Sequence, residues 1–186
     1  MNPSPQEPDT ELLLRLAAGE DPVLGELMQR WAPRVRSYLM RLTGNESVAE
    51  DLTEETFVRL YQTRHRFRPA PHAGAFSTWL FGIAANLGRE HLRWKQRHPT
   101  SPLDSEPEPM EPDSPESQAE SRERAEAVRH AIAQLPEDFR EAVLLSEYEE
   151  MTHAQIAEVS GCTPKAVERR LSRAREMLRN ALSRWL

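Results

Sequence analysis

The sequence predicts an all-α protein of two small helical domains, and three observations carry the prediction. Apolar residues recur at steps of three and four through most of the chain, and no stretch keeps the strict alternation of a half-buried strand. A segment rich in proline and acid then separates two such periodic regions. With 186 residues, 38% apolar and 29% charged, the chain has room for one ordinary domain or two small ones, and a large multilayer enzyme is excluded. The single cysteine, Cys162, allows neither an internal disulfide nor a Cys-rich zinc site. The longest apolar run, Trp79 to Ala85, falls far short of the roughly 20 residues of a membrane span, and no basic start precedes an apolar stretch as in a signal peptide. A cytoplasmic protein without membrane insertion is the expectation.

Residues 1–9, with Pro3, Pro5 and Pro8, read as a disordered lead-in. Thr10 is placed to cap a short helix carrying Leu12, Leu13 and Leu16. Asp21 with Pro22 opens the next helix, whose apolar positions are Leu24, Leu27, Met28, Trp31, Val35, Leu39 and Leu42. Pro33 should kink it and Gly44 should end it. Ser47 followed by Glu50 reads as a capping box, starting a helix through about Gln62 with Val48, Leu52, Phe57, Leu60 and Tyr61 inward. The prolines and glycine between Thr63 and Ala75 make a basic loop, and a long helix follows from about Phe76 to Arg97.

Residues 99–121 carry seven acidic and no basic side chains, with Pro99, Pro102, Pro107, Pro109, Pro112 and Pro115, and are read as a flexible linker. The acidity behind the net charge of −6 lies entirely there. Residues 1–98 and 122–186 are close to neutral, with 13 basic against 12 acidic residues and 11 against 11. Past the linker, Ala125, Val128, Ile132 and Leu135 form one helical face, and Pro136 begins a helix with Phe139, Val143 and Leu144 inward. Thr152 caps a short helix, Ser160-Gly161-Cys162 turns the chain, and Thr163 with Pro164 restarts a helix to about Ser183. The domain plan is thus residues 10–98 and 122–186, the second ending in a helix-turn-helix.

The last helix puts Val167, Leu171, Ala174, Leu178 and Leu182 on one side and Lys165, Arg169, Ser172 and Arg173 on the other. From Thr163 onward there are seven basic residues against two acidic ones, a cationic face suited to a phosphate-lined groove. In the long helix of the first domain, Trp79, Gly82, Asn86, Arg89, Arg93 and Arg97 share one edge, beside an expected buried stripe of Phe76, Ile83, Leu87 and Trp94. An aromatic, an amide and a row of arginines can hold unpaired bases, by stacking, hydrogen bonding and phosphate contact. The pattern equally fits a core tryptophan with arginines on an ordinary wet face. No metal-ligand spacing, phosphate loop or nucleophile elbow is present, so neither an enzyme nor a cofactor is expected. Glu149 and Glu150 read as solvated charge, and Cys162 as a small hydrophobe in the turn.

The segments AEDLTEETFVRLYQ (Ala49 to Gln62), FSTWLFGIAANLGREHLR (Phe76 to Arg93) and LPEDFREAVLLSEYEEMTHAQIAEVSGCTPKAVERRLSRAREML (Leu135 to Leu178) resemble bacterial RNA polymerase sigma factors of the extracytoplasmic-function group. The resemblance spans nearly everything from Asp21 onward except the linker, with the group's minimal plan of regions two and four. It implies a transcription initiation factor that binds core RNA polymerase through the β′ coiled coil and β flap and directs it to promoter DNA. Asp51, Leu52, Glu54, Glu55 and Phe57 match positions that dock on the coiled coil. The loop Arg66 to Ala75 and the residues Phe76, Trp79, Asn86, Arg89 and Arg93 match the part that opens the minus-ten element, with Asn86 at the pocket for a flipped base. Lys165, Glu168, Arg169, Arg170, Ser172 and Arg173 match the helix that reads the minus-thirty-five duplex. An anti-sigma factor is the usual accompaniment of the group.

Glu54 stands where the family more often has Gln, and Glu90 where it often has Asp. Two other readings remain at this stage. A free-standing helix-turn-helix regulator of duplex operators explains residues 152–182 but leaves the first domain without a task. An all-helical interaction protein treats both basic strips as solvated surface.

Overall fold

The computed structural model describes residues 8–68, 74–98 and 117–185, with side chains of the last stretch described from 122 onward. All regular elements among them are helical: α1 (Asp9–Ala17), α2 (Val23–Thr43), α3 (Glu46–Thr63), α4 (Ala75–Arg97), α5 (Ser117–Ala133), α6 (Glu137–Glu147), α7 (His153–Ser160) and α8 (Pro164–Ala181). Short 3-10 turns cover Arg64–Arg66 and Ser183–Trp185. The lead-in 1–7, part of the basic loop (69–73) and the linker segment 99–116 lie outside the described residues. Helix α5 begins inside the segment read as linker, because Ser117 to Ala127 contains no proline and several good helix formers.

Several local expectations shift. Helix α1 starts at Asp9 behind Pro8, and Thr10 makes no cap; the fixed φ of proline sets the entry instead. The cap of α3 is Asn45, whose side chain accepts from the Val48 N–H, rather than a box at Ser47. Helix α2 runs unbroken through Pro33 and ends at Gly44, whose φ of 70° only glycine adopts without strain. The capping box expected at Thr152 is present with Gln155, and Thr163 caps α8 with Pro164 at the first position.

In the N-terminal lobe α2, α3 and α4 pack around Tyr38, Leu39, Leu42, Phe57, Leu60, Leu80 and Phe81, all essentially inaccessible. Leu12, Leu13 and Leu16 of α1 close one side of this core. Trp31 sits edge-on to Phe76 and Phe81, with ring centroids 5.4 and 6.3 Å away. In the C-terminal lobe α6, α7 and α8 surround Leu144, Leu145, Ile156, Val167, Leu171 and Ala174.

The two lobes are packed together, which the sequence does not announce. Helix α4 lies against α7, and α2 against α6. Helix α6 accordingly buries five consecutive residues, Glu141 to Leu145, because its own lobe covers one side and α2 covers another.

Candidate nucleic-acid interface

Helix α8 owes its direction to its start. Gly161 (φ 62°) ends α7 in the left-handed conformation, the Cys162 N–H donates back to the Ala157 carbonyl, and Thr163 Oγ1 accepts from the Ala166 N–H at 3.2 Å. Val167, Leu171 and Ala174 then point into the core, leaving Lys165, Glu168, Arg169, Ser172 and Arg173 in solvent. Lys165 Nζ lies 2.8 Å from Glu168, and that hydrogen bond holds the Glu168 carboxyl below its ordinary range. Arg173 pairs with Glu176 at 3.1 Å, both exposed. Such exposed pairs are worth little and exchange readily for a phosphate or a base edge. Arg170 is the exception in the predicted set. It turns sideways to Asp138 (2.5 Å) and Cys162 Sγ (3.6 Å) and is mostly covered, so it braces α8 against the start of α6.

Helix α4 meets the expectation only in part. Trp79 is half-buried and leans on Phe67, centroid to centroid 5.3 Å. Asn86 is exposed, and its Oδ1 accepts from Arg89 Nη2 at 2.5 Å. Arg89 itself is engaged by the other lobe. Its Nη1 lies 2.8 and 2.7 Å from the two carboxylate oxygens of Glu141, and Nη2 donates to the Val159 carbonyl at 3.3 Å. Arg93 is exposed. Phe76 is buried at 2% exposure against Trp31, so it supports the strip from below and presents no surface to a ligand. Trp94, placed by the helical wheel in the buried stripe, is instead 48% exposed and stacks on His98 at 5.0 Å. With Leu52, Leu87, Glu90, His91 and Arg97 it lines an open groove of about 910 Å³ between α3 and α4.

On α3, Asp51 and Glu54 are exposed and Leu52 and Glu55 are half-exposed, the latter pairing with Arg59 at 2.9 Å. Phe57 is buried at 2% exposure and cannot be a surface contact; it anchors the helix that carries the others. Glu149, read as solvated, is buried beside Arg34 (2.9 Å), and burial pushes its carboxyl above the ordinary range against the pull of that arginine. Sequence reasoning also missed Glu141, Arg140 and Tyr38, which share the seam between lobes. The one available signal is the run Ala142-Val143-Leu144-Leu145, too apolar all round for a helix with a wet face.

No cluster of three or more His, Cys, Asp or Glu placed to hold a metal occurs among the described residues. None of their helices is long and apolar enough to cross a membrane.

Two family descriptions match the two lobes in order: Sigma-70 region 2 over residues 27–98 and Sigma-70, region 4 over residues 125–178. The chain belongs to the sigma factors. It is 34% identical to the RNA polymerase sigma-H factor of Pseudomonas aeruginosa, with 95% of each chain covered. It is 30% identical to the ECF RNA polymerase sigma-E factor of Haemophilus influenzae, over 94% of this chain and 95% of that one. These relatives place it in the extracytoplasmic-function group, whose members are transcription initiation factors. Among solved structures, the fold matches that of the sigma factor RpoE of Bartonella quintana, determined in complex with the anti-sigma factor NepR, at a TM-score of 0.67 and 22% identity, covering 86% of this chain and 96% of that one.

Proposed function

We propose that this sigma factor divides its work between its lobes, with region 4 reading the minus-thirty-five duplex and region 2 binding core polymerase and capturing the opened minus-ten strand. The observation that carries the reading is the outward face of α8, where Lys165, Glu168, Arg169, Ser172 and Arg173 project from a helix whose opposite side is wholly core. A helix so mounted, after a short turn, can enter a major groove and put its first turns against base edges. Arginine offers bidentate donors to guanine, Glu168 an acceptor for the cytosine amino group, and Ser172 a short contact to either. Arg170 serves here as a brace.

In region 2 the strip reduces to Trp79, Asn86, Arg89 and Arg93, with Phe76 beneath it. The half-exposed indole suits stacking, Asn86 suits the edge of a flipped base, and the arginines suit the backbone. Asp51, Leu52, Glu54 and Glu55 form the surface for the β′ coiled coil, with Phe57 as its internal support. Neither lobe alone offers a large interface, so tethering both to polymerase raises the effective concentration of each for its element. The partners are therefore core polymerase and promoter DNA in the cytoplasm. An anti-sigma factor is proposed by analogy with the Bartonella quintana complex.

The test is titration of the full chain onto bacterial core polymerase, followed by open-complex footprinting. Asp51→Lys with Glu54→Lys should abolish saturable binding, whereas Asn86→Ala should leave binding intact and lower open-complex formation. Loss of polymerase binding in Asn86→Ala would break this division of labour. Sequence-specific duplex binding by the free chain, with no affinity for polymerase, would favour the free-standing regulator.

A further inference from the structure

Resting on the reading of Trp79 as a stacking surface for the opened strand, we propose that Arg64 is a positioning residue for that surface: it ties the start of the basic loop to α1 and so fixes the ring of Phe67 on which the indole leans. Between α3 and α4 the described chain forms only the 3-10 turn Arg64–Arg66, and a single such turn has little persistence of its own. Arg64 is half-buried and holds the turn to two helices. Its Nε donates to the Leu16 carbonyl in the last turn of α1 at 3.2 Å, and Nη1 donates to the Tyr61 carbonyl near the end of α3 at 2.6 Å. The guanidinium carbon stands 4.0 Å from the centroid of the Tyr61 ring, whose hydroxyl donates to Asp21 Oδ1 at 3.0 Å in the turn between α1 and α2. Two donations to carbonyls made while stacked on a ring need the planar fork of arginine, and a lysine ammonium makes no such set.

Phe67 carries this hold to the indole. Its N–H donates to the Arg64 carbonyl at 3.3 Å, so the backbone that bears the ring starts at the anchored residue. The ring is 5% exposed and lies tilted against Trp79, 5.3 Å between centroids. Phe67 is thus an internal support, while half-buried Trp79 keeps part of its surface for a ligand. Arg66 and Arg68 flank Phe67 in the sequence and are exposed, which places cations on the same loop as the ring that supports the indole. Charge and aromatic surface together are what hold unpaired DNA. A stacking surface contributes in full only when it is ordered before the base arrives, since ordering it on capture subtracts from the affinity. The partners of Arg64 belong to α1 and the end of α3, apart from Asp51 to Glu55 and from α8. A loss confined to strand capture therefore separates positioning from general stability.

Arg64→Lys keeps the charge but loses the fork and the stack. Holoenzyme reconstituted with the full-chain variant should match the parent in affinity for core polymerase and in minus-thirty-five discrimination. It should bind the single-stranded minus-ten oligonucleotide of a promoter it uses about three- to tenfold more weakly, a fraction of the worth of one stacked base, with core polymerase alone as the baseline. Once an abasic site replaces the stacked base, parent and variant should bind alike, because stacking is all that differs between them. Phe67→Leu leaves the contacts of Arg64 in place and should reproduce the loss. Arg64→Lys added to Trp79→Ala should lower affinity no further than Trp79→Ala alone, since the arginine acts through the indole. Loss of polymerase binding in Arg64→Lys, equal weakening of intact and abasic strands, additive losses with Trp79→Ala, or unchanged oligonucleotide affinity would each overturn the role of Arg64. If Trp79→Ala itself held the strand as tightly as the parent, with polymerase binding intact, the reading of α4 on which that role rests would fall instead.

Discussion

Helices α8 and α4 carry the two cationic strips of this sigma factor, and they differ in how many neighbours they have. Helix α8 lies at the edge of its lobe, buries a single line of side chains (Val167, Leu171, Ala174) and leaves Lys165, Glu168, Arg169, Ser172 and Arg173 of its first three turns in solvent. Helix α4 is central. It is packed by α2, α3 and α7 and buries residues from Ala75 to Gly88 on several sides. A helical wheel therefore describes α8 correctly and α4 only partly, because a wheel assumes one wet face and one dry one. The comparison also separates what each strip can do unaided: one is presented, the other is partly held.

The largest effect is expected from removing the dry side of α8. Leu171 is 1% exposed at the centre of the C-terminal core. Leu171→Ala should cost about 2–5 kcal/mol of stability, the range for a buried leucine truncated where the surroundings cannot collapse. Urea denaturation followed by circular dichroism reads this directly. A loss of only a few tenths would mean that α8 is not mounted on a core at all, and its outward face would lose its meaning as a fixed reading surface.

Next in size is the wet side. Arg169 is exposed and has no ion pair among the described residues, so its whole capacity is available to DNA. Arg169→Ala in the holoenzyme should cost about 1–3 kcal/mol at one base position of the minus-thirty-five element while sparing unrelated sequences. Arg93→Ala on α4 should instead weaken promoter binding evenly and flatten its salt dependence by about one counterion. Promoter-mutant titrations at two salt concentrations distinguish the two. Equal effects from both arginines would erase the assignment of base reading to one lobe and backbone contact to the other.

How much of this was legible follows from the same contrast. The two lobes, the helix-turn-helix, its caps at Thr152 and Thr163 and the outward residues of α8 all depend on contacts within a few residues, and local sequence specifies such contacts. Phe57 and Phe76 sit in motifs that implied contact, yet both are buried. A motif marks a position and not the direction its side chain takes. The wheel misplaces Trp94, which lines the open groove between α3 and α4 and is not covered by either helix. Glu141 and Glu149 were illegible as buried groups, since what covers them comes from the other lobe, about 50 and 115 residues away in the chain. Only the unbroken apolar run in α6 hinted at a second covering surface.

A smaller effect tests the cap that aims α8. Thr163 Oγ1 accepts from the Ala166 N–H at the helix start, an N–H that also donates to the Thr163 carbonyl. Thr163→Ala should lower stability by about 1 kcal/mol, and Thr163→Ser should restore most of it. Because the cap sits directly before Lys165, a thermal shift without a change in promoter binding would show that the first turn is held by Pro164 and the core alone.

The smallest effect sharpens the account of α4 by comparing two of its own glycines. A Cβ added at Gly88 would lie 2.5 Å from Leu42 Cδ2 in the interior, whereas one at Gly82 would meet nothing within 4 Å. Gly88 is there to let α4 and α2 approach, so an alanine must displace a packed leucine and should cancel or outweigh its own helix preference. Gly82 lies on the strip between Trp79 and Asn86, and nothing in the fold requires it to lack a side chain. Gly82→Ala should therefore raise thermal stability by about 0.5–1 kcal/mol through helix propensity. If it does so while lowering open-complex formation, the missing side chain is space kept for DNA, and the held strip of α4 is a binding surface in the same sense as the presented face of α8. A stabilised variant with unaltered opening would confine the single-strand surface to Trp79, Asn86 and the arginines.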